Sequence, residues 1–62
     1  MTNDEARGYA MLAASAIGLK SHDLVRLYDV LPSIFDVYTE SEAERKGDRI
    51  YLNAKELARR LP

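Results

Sequence analysis

The chain is 62 residues long with nine basic and ten acidic side chains, which allows a single domain (residues 1–62) and no strong overall charge. Zero cysteines and a single histidine exclude disulfides, thiolate metal sites and imidazole cages. Hydrophobic residues at 47% and charged residues at 31% indicate a globular chain, but one this short buries only about 60% of the surface its unfolded form exposes, so helix packing or self-association must replace a covalent staple.

The first helix is expected over Asp4–Ile17. Thr2 or Asn3 caps its first amides, and Asp4 and Glu5 suit the positive end of the helix dipole. Its alanines favour helix, and Tyr9, Leu12, Ala13, Ala16 and Ile17 recur at helical spacing as the face to be buried. Gly18 is placed to end the helix in a left-handed conformation. The apolar run from Tyr9 to Leu19 is broken by Ser15 and Gly18 and falls short of the roughly 20 residues of a membrane span. The acidic start is unlike the positive start of a secretory signal. A cytoplasmic protein without a membrane partner is the expectation, and the lack of cysteine agrees with it.

The second helix is expected after Ser21 as cap. Its apolar stripe is the clearest in the chain: Leu24, Leu27, Tyr28, Leu31, Phe35 and Tyr38. Pro32 falls inside it without disturbing the phase, which favours a kink over a break. Thr39 and Glu42 match a capping box, opening a short third helix over Glu40–Lys46 that stops at Gly47. Asp48–Leu52 reads as a connector. Asn53 and Glu56 match a second capping box before a fourth helix, Ala54–Leu61, with Ala54, Leu57, Ala58 and Leu61 inward. A rival reading pairs residues 34–38 and 49–52 as strands, because both carry β-branched and aromatic side chains.

The fold class that follows is all-α: a compact bundle of three to four short helices, with helices 1 and 2 as an antiparallel hairpin capped by the C-terminal helices. The expected core is Tyr9, Leu12, Ala13, Ile17, Leu24, Leu27, Leu31, Phe35, Ala43, Leu57 and Leu61.

No catalytic residue, cofactor site or metal site is assigned. There is no phosphate-cradling glycine loop and no cysteine nucleophile. His22 and Asp23 are adjacent on a helix and point apart, so they cannot serve one reacting atom. Asp36, Glu40, Glu42 and Glu44 lack calcium-loop spacing and read as a solvated acidic helix start. Ala14, Gly18, Leu24 and Leu27 have helix-turn-helix spacing, with Lys20, Ser21, His22, Asp23 and Arg26 as the would-be base readers, but any tight helix pair makes that pattern.

Charge is split along the chain. Residues 1–44 carry three basic and eight acidic groups, and residues 45–62 carry six basic and two acidic ones. The basic set, Arg45, Lys46, Arg49, Lys55, Arg59 and Arg60, either packs on the acidic body or contacts a partner such as nucleic acid.

Two resemblances add to this. Tyr51 to Leu61, Tyr-Leu-Asn-Ala-Lys-Glu-Leu-Ala-Arg-Arg-Leu, resembles the opening helix of excisionase-like and MerR-like helix-turn-helix domains over eleven residues, with no counterpart of the recognition helix before Pro62. Tyr9 to Gly47 resembles small open reading frames of phages and prophages of Gram-positive bacteria, through the alanine-rich helix ending in Gly18-Leu19, the polar start at Ser21, Phe35-Asp36 and the run Thr39 to Glu44. The second resemblance implies a phage accessory protein and assigns no activity. The functional expectation is a non-enzymatic protein-binding module whose partner is a host protein or a second copy as a homodimer, with the tyrosines at 28, 38 and 51 as anchors. The alternative is a nucleic-acid-binding protein using the basic C-terminal segment.

Overall fold

The computed structural model describes residues 1–61 and is an all-α bundle of three helices: α1 (Asn3–Ala16), α2 (Ser21–Val37) and α3 (Glu40–Arg60). Thr2 caps α1, its hydroxyl accepting from the Glu5 amide at 3.1 Å. At the other end Gly18 takes a positive φ of 87°. The Gly18 amide donates to the Ser15 carbonyl at 3.0 Å and the Leu19 amide to the Ala14 carbonyl at 3.1 Å. That pair of bonds is a Schellman cap, which only a residue tolerant of the left-handed region can close. The chain reverses within Ile17–Lys20, and α1 and α2 pack as an antiparallel hairpin.

Ser21 is the first residue of α2 rather than its cap; Lys20 holds the cap position and makes no side-chain cap bond. Pro32 lies inside α2, and the helix does not break there. Proline removes one amide donor, and the helix on either side is anchored by Leu24, Leu27, Leu31 and Phe35, all half-buried against α1. The expected stripe of α2 is thus the one that packs. Residues 34–37 lie in α2 and 49–52 in α3, so the strand pairing considered for them does not form.

The face of α1 differs from expectation. Ala14, 5% exposed, is the buried residue, and Ala6, Arg7, Ala10 and Met11 are half-buried beside it. Tyr9, Leu12, Ala13 and Ile17, all expected in the core, are exposed, Leu12 by 70%. The small side chains at positions 6, 10 and 14 let the two helix axes approach closely. The Arg7 guanidinium lies 4.2 Å from the centre of the Tyr28 ring, a cation–π contact that joins the helices on the same side.

The C-terminal half also differs. The expected third and fourth helices are one continuous helix running through Gly47, the expected connector 48–52 and Asn53. Its first turn caps the open end of the hairpin, where Glu40 and Ala43 border a recess with Met1, Ala6, Phe35 and Tyr38. Beyond that turn, among the described residues, α3 does not pack along α1 or α2, although Lys46 reaches back toward the Tyr38 ring, and the expected core residues Ala43, Leu57 and Leu61 are exposed.

Replacing Ala14 with leucine is expected to force the hairpin apart and to cost about 1–3 kcal/mol in urea unfolding. Leu12→Ala is expected to change stability by less than about 0.5 kcal/mol, because that side chain is already in water. The reverse ranking would show that the other face of α1 is buried.

Candidate functional site

α3 is the element that carries both candidate surfaces, so its start determines their orientation. A complete capping box fixes that start: the Glu42 amide donates to the Thr39 hydroxyl at 3.2 Å, and the Thr39 amide donates to the Glu42 carboxylate at 3.0 Å. The second expected box does not form. Asn53 is mid-helix, and Glu56 instead pairs with Arg59 at 3.6 Å and Arg60 at 3.4 Å.

The six basic residues, Arg45, Lys46, Arg49, Lys55, Arg59 and Arg60, all lie on α3 and are all exposed. At 3.6 residues per turn, all but Lys46 fall on the half of the helix opposite Ala43, Ile50, Ala54 and Leu57. Glu42, Glu44, Asp48 and Glu56 are interleaved with them there, so the polar face is nearly neutral rather than a cationic stripe. The basic segment does not pack on the acidic body: the ion pairs among the described residues each lie within one helix. Such exposed pairs contribute little to stability. Lys46 stands 5.9 Å from the centre of the Tyr38 ring and Lys55 stands 6.0 Å from that of Tyr51.

The opposite face of α3 is apolar and uncovered. Ala43, Gly47, Ile50, Ala54, Leu57 and Leu61 follow one another at spacings of four and three residues, the pattern of a seam between two helices. Ile50 is 69% exposed and Leu57 61%. Tyr51 flanks this seam in solvent, whereas Tyr28 and Tyr38 are partly covered within the hairpin. Sequence reasoning split this face in two at Gly47; the signal that could have found it is the unbroken phase from Ala43 through Gly47 to Leu61.

The recess at the mouth of the hairpin, about 370 Å³, has mostly apolar walls. His22 is exposed, and Asp23 pairs with Arg26 at 3.6 Å. Among the described residues no three His, Cys, Asp or Glu side chains come together as metal ligands, and no helix is long and apolar enough to cross a membrane. Of the residues with helix-turn-helix spacing, Ala14 is buried, Gly18 makes the turn, and Leu24 and Leu27 face α1. Comparison of the chain with family models, with curated proteins and with solved structures finds no match.

The Thr39 amide first, then the Thr39 hydroxyl and more weakly the Lys46 ammonium, hold the Glu42 carboxyl below the ordinary glutamate value of 4.5. A folded-state pKa below the unfolded one means that the cap contributes fully above the ordinary glutamate range and is lost as pH falls through the lowered value. An NMR titration is expected to show the Thr39 amide moving over that acidic window. Glu42→Gln can still accept from that amide and is expected to remove the transition. The same transition in both proteins would place its origin elsewhere.

Proposed function

We propose that this chain is a small non-enzymatic protein-binding module that docks through the apolar face of α3. The observation that carries this reading is the run of large apolar side chains, Ile50, Leu57 and Leu61, exposed along a helix that has no packing partner for that face among the described residues. Contiguous apolar surface of this kind marks interaction sites rather than ordinary solvent-facing helix. The nearly neutral polar face supports a protein partner over a phosphate backbone, which rewards clustered positive charge. The resemblance to small phage and prophage open reading frames supports an accessory role that works by occupying a host protein.

Nucleic-acid binding is the competing reading, and its support is that Arg45, Lys46, Arg49, Lys55, Arg59 and Arg60 are all exposed on one helix. The two are separated by one set of experiments. Immobilised protein is expected to retain a specific protein from a Gram-positive host lysate. Ile50→Asp combined with Leu57→Asp is expected to lose it while the hairpin stays folded by circular dichroism. No protein retained by the parent, with a low-salt gel shift on duplex DNA that weakens when Arg59 and Arg60 are replaced, would move the function to nucleic acid.

A further inference from the structure

We infer that the apolar face of α3 is built to pair with a second copy of itself, antiparallel, in one register. This rests on reading α3 as an interaction face and names the occupant of that face. Three observations lead to it.

The first is the size pattern along the seam. With the two helices running in opposite directions, one register sets Ala43 opposite Leu61 of the second copy, Gly47 opposite its Leu57, and Ile50 opposite its Ala54, and the two-fold repeats each pair. Every layer then joins one large side chain to one small one, the arrangement that fills the space between helices evenly. In an in-register parallel pair Gly47 would meet Gly47 and Leu57 would meet Leu57, alternating voids with crowding.

The second is charge. α3 begins with Glu40, Glu42 and Glu44, followed by Arg45 and Lys46, and ends with Arg59 and Arg60. Antiparallel pairing brings the acidic end of each copy to the basic end of the other and opposes the two helix dipoles. Parallel pairing would stack like on like. The one like-charge approach in the antiparallel register, Lys46 towards Arg60 of the second copy, is relieved by Glu56, which already holds Arg60 at 3.4 Å.

The third is unused surface and an unused glycine. The chain exposes 5541 Å², whereas a folded monomer of 7.0 kDa typically exposes about 4,000 Å². The surplus exceeds the roughly 800 Å² per partner that a stable interface takes. Gly47 sits inside α3, where glycine costs about 1 kcal/mol relative to alanine. It has no positive φ, and a Cβ built on it would meet nothing within 4 Å. Among the described residues nothing calls for glycine there, as at Gly8 in α1, but Gly47 differs in lying on the seam, where Leu57 of a second copy would need the space.

The test uses the whole chain. Sedimentation equilibrium from low to high micromolar concentration is expected to show a monomer–dimer equilibrium. Gly47→Leu separates a fitted seam from mere stickiness: it enlarges the apolar stripe, yet it is expected to weaken dimerisation about tenfold or more by crowding the layer with Leu57. Tighter association of that variant would overturn the register. Because the chain has no cysteine, Ala43→Cys and Leu61→Cys chains mixed in a thiol redox buffer report direction. The mixed disulfide is expected to predominate; homodisulfides of each variant would overturn the antiparallel assignment while leaving α3 as an interaction face. A monomer at every concentration would overturn the inference, and the lysate experiment would then judge the protein-binding reading on its own.

Discussion

The close approach of α1 to α2 along Ala6, Ala10 and Ala14 is the contact on which the rest of the molecule depends. Small side chains on α1 allow the larger ones of α2, Leu24, Leu27, Leu31 and Phe35, to lie against the α1 backbone, and Arg7 closes one side over Tyr28. The Schellman cap at Gly18 makes the reversal tight enough for that approach. Using the small face for packing has a cost: Tyr9 and Leu12 are left in solvent, and one residue of the described chain, Ala14, is buried outright. The hairpin is therefore thin, and α3 adds only a first turn to it.

Much of this architecture was legible in the sequence because local chemistry decides it. Thr2, Gly18 and the Thr39–Glu42 box each satisfy orphan backbone groups at a helix end, and each does in the structure what its residue type permits. The stripe of α2 was legible because one face is apolar and the other is not. The face of α1 was not, since both sides of that helix are apolar. Periodicity favours the side with larger residues, whereas packing geometry favours the side with smaller ones. The continuity of α3 was missed because Gly47 and Asn53 each carry a local signal that longer-range order overrides: carrying the helix through one glycine costs about 1 kcal/mol, and ending it there would leave several backbone groups unpaired.

The candidate site shows the same division. That Arg45, Lys46, Arg49, Lys55, Arg59 and Arg60 share one exposed stretch could be read directly from the chain. That they are interleaved with acids around one continuous helix could not, because a break at Gly47 would have rotated the two halves independently. With the helix unbroken, five of the six charges, all but Lys46, spread into a near-neutral face and the apolar residues line up instead. What first reads as a basic tail is one amphipathic helix with an exposed apolar seam. On the proposed reading, a partner protein and a second copy would compete for that seam, which would couple association state to partner binding.

The central claim, that the hairpin is held by its own chain while α3 is held from outside, is tested most directly by amide hydrogen exchange at several protein concentrations. Amides of α1 and α2 around Ala14 and Leu27 should show protection set by the chain itself. Amides of α3 around Ile50 and Leu57 should exchange quickly when dilute and become protected as concentration rises. Protection of α3 that is as strong as that of the hairpin and independent of concentration would contradict the account.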